Sequence, residues 1–244
     1  MRYAMVFVLA LAHAVWTAPS QAAACVTDTL AAYVALGPGG CTVSAFTLEN
    51  FEIAAPVSVG AVPIDPGSVL VTPVSGAGGH GFTLGSAAPI VAGAGELLQL
   101  WFGFRVSDAA AAAADTVRLG GPGEPPVVSG DGVITLIEDL CADGAFSSAS
   151  SGCMGTPMAS QILFAIDGDE ELAATRPLVI ASFFDVFVDL VIDGGIGGRA
   201  QLGPTLAQFV VSGDTGVPVP EPPGAMLALL ALAGARLAGR RSQR

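Results

Sequence analysis

The chain has 244 residues and a formal charge of −12, and its Lys+Arg total of 9 consists entirely of arginines. Between Cys25 and Val219, Arg105, Arg118, Arg176 and Arg199 face twenty acidic residues, leaving this body near −16. Such a surface repels phosphate backbones and anionic headgroups, which excludes nucleic acid as a partner, and the supply of Val, Ile, Leu and Phe excludes a disordered chain.

The N-terminus reads as an export signal over residues 1–24. Arg2 supplies the positive start, Ala4 to Trp16 an apolar run, and Ala22-Ala23-Ala24 a small-residue cleavage site. Cys25 has two readings, a lipidated cysteine or half of a disulfide. Ala22 occupies the position where a lipidation motif carries a large aliphatic residue, which favours the disulfide.

Residues 25–216 read as one all-β domain, a β-sandwich of jelly-roll or Ig-like type. A short helix is expected over 27–36. Residues 42–53 alternate with a slip near Asn50 that predicts a bulge. Two β-branched runs, 57–64 and 68–74, are split by the turn Asp65-Pro66-Gly67. Residues 82–84 are expected as a short edge strand. Residues 96–107 place Leu98, Leu100, Phe102, Phe104 and Val106 at strict period two, opposite Gln99, Trp101, Gly103 and Arg105. A helical turn fits 109–114. Residues 127–141 read as a hairpin turning at Ser129-Gly130-Asp131-Gly132. Strands follow at 161–167, within 178–193 and at 206–212. In the second of these, Phe184, Val186, Val188, Leu190 and Ile192 alternate with Asp185, Asp189 and Asp193.

Four cysteines allow three pairings. Cys25 with Cys41 and Cys141 with Cys153 is the simplest, because each pair brackets a Gly/Ser-rich loop and an exported body meets an oxidising compartment. The spacings are too wide for a four-thiolate zinc site.

Candidate chemistry is sparse. His80 is the one histidine left after export, and Gly78-Gly79-His80-Gly81 reads as an exposed loop. No Gly-x-Ser-x-Gly elbow, His-Glu-x-x-His helix or phosphate-binding glycine loop is present. Asp167, Asp169 and Glu171 form an acidic turn. It is a solvated loop in the plain reading and a weak calcium site, at roughly millimolar strength, in the sharper one. No other cofactor is expected. Asp185, Asp189 and Asp193 read as the wet face of a half-buried strand in preference to a glycosidase pair. Trp101 reads as packing in preference to a sugar-stacking ring.

The last segment, 217–244, has three parts in fixed order: Pro218-Val219-Pro220-Glu221-Pro222-Pro223, an apolar run from Ala225 to Ala235, and Arg236, Arg240, Arg241 and Arg244. The prolines keep the first part extended, and the run consists of strong helix formers. On Pro220-Glu221-Pro222, the apolar helix and Arg240-Arg241, this tail resembles the PEP-CTERM sorting signal of exported bacterial proteins. It departs from that pattern at Arg236, which leaves eleven uncharged residues where a stable span needs about twenty.

The body is also similar to a group of uncharacterised β-rich PEP-CTERM proteins. The matching residues are Leu30-Ala31-Ala32-Tyr33, Phe51, Glu138-Asp139-Leu140-Cys141 and the Asp-studded strand before Gly194-Gly195-Ile196-Gly197-Gly198. The likeness of the body suggests an architecture and no activity; that of the tail implies export by the Sec machinery, transient inner-membrane anchoring through the tail helix, and recognition by an exosortase. The destination it implies is the cell surface or extracellular matrix of a Gram-negative bacterium, near exopolysaccharide. The leading expectation is a non-enzymatic surface or matrix protein. A carbohydrate- or calcium-binding module is the alternative, and an extracellular hydrolase the second.

Overall fold

The computed structural model describes residues 22–109, 112–147 and 150–213. The sorting motif and most of the export signal lie outside these residues.

The first half of the body runs β1 (Ala23–Ala24), β2 (Asp28–Thr29), α1 (Leu30–Leu36), β3 (Cys41–Val43), β4 (Phe46–Ile53), β5 (Val57–Val59), β6 (Val69–Gly76), β7 (Gly79–Ser86), β8 (Ile90–Ala92), β9 (Leu97–Ser107) and β10 (Ala112–Leu119). The second half runs β11 (Val127–Ser129), β12 (Val133–Ala142), β13 (Phe146–Ser147), β14 (Ser150–Cys153), β15 (Thr156–Pro157), β16 (Gln161–Ile166), β17 (Asp169–Glu171), β18 (Ala173–Pro177), β19 (Phe183–Asp193), β20 (Arg199–Leu202) and β21 (Thr205–Gly213). The protein is all-β.

Two sheets dominate. A ten-stranded sheet has the order β1-β3-β4-β9-β19-β12-β16-β17, with β5 on β9 and β15 on β12; a six-stranded sheet has the order β18-β10-β21-β7-β6-β2. The central pair, β9 and β19, is antiparallel in one unbroken register from Leu97↔Asp193 to Ser107↔Phe183. Both strands bury every second residue, as the sequence alternation demands. Leu98, Leu100, Phe102, Phe104 and Val106 thereby point inward beside Phe184, Val186, Val188, Leu190 and Ile192.

The inner faces of the two sheets meet through aromatic rings. Phe82 of β7 lies edge-on to Phe104 of β9 at 4.9 Å, and Phe209 of β21 lies 5.9 Å from both Phe102 and Phe104. Offset and edge-to-face pairs of this kind add roughly 0.5–1.5 kcal/mol each beyond their buried area.

The short helix forms where its cap allows. Thr29 Oγ1 accepts the Ala32 N–H at 3.1 Å, and Gly37 closes the helix with φ 57°. Tyr33 is buried with its hydroxyl donating to the Val26 carbonyl at 2.8 Å, and burial pushes its pKa to about 12. The expected slip is present: β4 shifts register on β9 between Glu49 and Glu52, with Asn50 at φ 53°. The turn at Asp65 also forms, its Oδ1 accepting from Gly67 N–H.

Three expectations are corrected. Residues 82–84 belong to β7, an interior strand of eight residues paired on both sides, whose glycines hide it from an apolar count. The turn at 129–132 exists, but its arms do not pair as a hairpin: β11 joins β20 in a three-stranded sheet, while β12 pairs with β16 and β19. The stretch expected as a helical turn contains the start of strand β10.

Candidate functional site

The outward face of the ten-stranded sheet carries the residues that alternate with the core. Gln99, Trp101 and Arg105 stand on β9, and Asp185, Phe187 and Asp189 on β19, all half-buried. Gln99 Nε2 donates to Asp189 Oδ1 and Oδ2 at 2.8 and 3.0 Å. Arg105 Nε and Nη2 donate to Asp185 Oδ1 and Oδ2 at 2.6 and 3.3 Å, and the guanidinium carbon lies 4.1 Å from the centre of the Phe183 ring. The hydrogen bond to Asp185 raises the Arg105 pKa.

Between these pairs, Trp101 contacts Phe187 at 5.3 Å, and Phe187 contacts Phe146 at 6.0 Å. The rings are tilted by 59° and 49°, so they form a stepped row and not one flat platform. Trp101 packs as expected, but on a face that solvent reaches. Asp185, Asp189 and Asp193 share this face, and Asp193 Oδ1 accepts from Gly195 N–H. Apolar rings thus stand beside carboxylates and an amide on one face of the sheet.

A second polar group is buried. Asp115 of β10, Glu138 of β12, Gln161 of β16 and Arg176 of β18 are 4, 1, 6 and 8% exposed. Arg176 donates through Nε to Asp115 Oδ2 at 3.2 Å, through Nη2 to Glu138 Oε2 at 3.0 Å, and through Nη1 to the Ala159 carbonyl. Gln161 Nε2 donates to Asp115 Oδ2 at 2.9 Å and to Glu138 Oε2 at 3.1 Å. Burial pushes both carboxyl pKa values up, and for Glu138 the charge of Asp115 adds to it. Asp115 also lines a cavity of about 20 Å³ between the sheets, with Phe46, His80, Phe104, Phe184 and Phe209 among its walls. That volume suits a single water molecule.

His80 is not a loop residue. It sits half-buried on β7, its Nδ1 3.0 Å from Ser75 Oγ. Asp167, Asp169 and Glu171 are exposed around the β16–β17 turn. Among the described residues, no three His, Cys, Asp or Glu side chains are grouped to hold a metal. Disulfides join Cys25 to Cys41 and Cys141 to Cys153. The Gly194–Gly198 segment is a turn held by Asp131, whose carboxylate accepts from Ile196 and Gly197 N–H. All four arginines of the described residues lie within strands: β9, β10, β18 and β20. Among the described residues no helix is long and apolar enough to cross a membrane.

No family model matches the chain, and no curated protein matches it. Among solved structures, the enzymatically active domain of bacteriophage CBA120 tailspike protein 4 aligns over 68% of this chain and 20% of its own length. The identity is 10% and the TM-score 0.27. A likeness of that size carries no argument.

Proposed function

We propose that this protein is an exported, non-enzymatic component of a bacterial cell surface or extracellular matrix, delivered through an exosortase that recognises its tail. The observation that carries the reading is the pair of local disulfides, Cys25–Cys41 and Cys141–Cys153. Bridges of this kind persist in oxidising compartments, and they agree with an export signal before Cys25 and a Pro-Glu-Pro tail after the body. The facing of the two large sheets supports a sandwich architecture.

The test is fractionation in a host that has an exosortase. The arginines after the apolar run oppose transfer of the tail, at roughly 2.5–3.5 kcal/mol per arginine at mid-bilayer. Glu221→Ala is expected to hold the chain at the inner membrane with its body folded outside. Equal release of wild type and variant overturns the sorting reading.

A second reading rests on Trp101. Its stepped row with Phe187 and Phe146, flanked by the Gln99–Asp189 pair, favours contact with exopolysaccharide. Glycan-array binding that is lost in Trp101→Ala supports it, and unchanged binding removes it. Running the array with and without calcium tests the acidic turn in the same experiment.

A further inference from the structure

The buried group between the sheets is short of one hydrogen. Its two carboxylates and the Gln161 amide offer five acceptor oxygens. Arg176 Nε and Nη2, with the Gln161 amide nitrogen, all donate to Asp115 Oδ2 or Glu138 Oε2. The remaining guanidinium nitrogen is directed to the Ala159 carbonyl. Two buried atoms are left without a partner, Glu138 Oε1 and Gln161 Oε1, and both are acceptors when the acids are ionised. An orphaned buried acceptor loses its water without gaining a partner and so destabilises the fold.

The charge count has the same deficit: two carboxylates face one guanidinium. The other groups around the pair do not correct it. Gln161 is neutral. Asp139, the next residue on β12, is half-buried on the opposite face of the strand, where it accepts from Ser160 Oγ. His80 is the other titratable side chain lining the cavity that Asp115 reaches.

We infer that the folded protein holds one proton on the Asp115–Glu138 pair at neutral pH, which makes this group a proton-binding clasp between the two sheets. One proton held by the Asp115–Glu138 pair balances the charge of Arg176 and leaves a single carboxylate in the group. Asp115 and Arg176 belong to the six-stranded sheet, Glu138 and Gln161 to the ten-stranded one, so the proton sits in the polar connection between layers. Burial of both carboxyls acts in the same direction. At 1 and 4% exposure the two acids are closed to any bulky substrate, though not to a proton.

The sign of the pH dependence follows. A carboxyl whose folded pKa lies above its unfolded value stabilises the fold fully below about pH 4, and this contribution is lost as pH rises through the folded pKa. Across that window the folded-to-unfolded ratio falls about tenfold per pH unit for one proton.

The experiment is urea unfolding of the full-length chain from pH 5 to pH 9, wild type beside Glu138→Gln. Glutamine keeps the shape of a neutral glutamate and cannot lose the proton. The variant is expected to lose stability less steeply with pH, by about tenfold per unit. Parallel slopes overturn the inference. A carbon-13 titration of the wild-type side-chain carboxyls decides the matter even if the variant does not fold. One buried carboxyl still protonated at pH 7 supports the clasp, and full ionisation of all of them at pH 7 overturns it.

Discussion

The carboxylate of Asp131 accepts the backbone N–H of Ile196 at 2.8 Å, 65 residues further along the chain. The Gly197 N–H reaches the same carboxylate at 3.0 Å. These bonds join the turn before β12 to the glycine turn after β19, and they hold the Asp131 pKa below the usual carboxylate range. A lowered folded pKa stabilises the fold above the ordinary value near 3.9 and loses that contribution as pH falls through the folded one. The protection of the Ile196 and Gly197 amides against hydrogen exchange, relative to an unstructured peptide at the same pH, is therefore expected to fall below about pH 4 and to be low at every pH in Asp131→Ala.

Gly81 and Gly76 separate two kinds of glycine. A Cβ on Gly81 would meet the Phe209 carbonyl of the neighbouring strand, whereas one on Gly76 meets nothing within 4 Å. Gly81→Ala must displace backbone and is expected to destabilise by about 1–3 kcal/mol. Gly76→Ala is expected to stay within about 0.5 kcal/mol of wild type. Urea midpoints of the two variants check this.

The disulfides close short loops, with sequence separations of 16 and 12. Each is expected to contribute about 3 kcal/mol on the chain-entropy account. Reductant, which opens both bridges, should lower the transition in a thermal melt, and Cys141→Ser with Cys153→Ser should lower it by about half as much under oxidising conditions. Non-reducing peptide mapping of the exported protein should recover the two local pairs and no cross-pair.

The N-terminus of the exported protein is expected at or within two residues of Cys25, without diacylglycerol, by intact mass. Cleavage there removes β1, which is held by the parallel pairing of Ala23 and Ala24 with Cys41 and Thr42. Both residues are exposed, so their loss leaves the core intact. A lipid adduct on Cys25 is incompatible with the bridge to Cys41.

What the sequence revealed follows from how local each signal is. Strands β9 and β19 are legible because half their surface is buried over eleven residues each, and period-two alternation survives at that length. The short helix after Thr27, the bulge at Asn50 and the turn at Asp65 are likewise written in neighbouring residues, whereas the cap at Thr29 emerges only in the structure. Strand β7 is not legible, since Gly79, Gly81 and Gly85 interrupt its apolar pattern where other backbone and side chains crowd it. The pairing of β11 with β20 is a tertiary choice that the turn at 129–132 does not encode. The buried group is the least legible feature: Asp115, Glu138, Gln161 and Arg176 are scattered over four strands, and only the closure of the two sheets brings them together.

The placement of the arginines bears on how the folded body withstands a trypsin-like protease. A trypsin-like protease needs an extended segment around a basic residue, free to enter its cleft. Among the described residues the basic side chains are Arg105, Arg118, Arg176 and Arg199, and each is locked in a hydrogen-bonded strand. The loops among the described residues, where nicking concentrates, carry no cleavable bond of that type. Digestion of the described residues by such enzymes is then limited by unfolding of a strand and not by access to a loop.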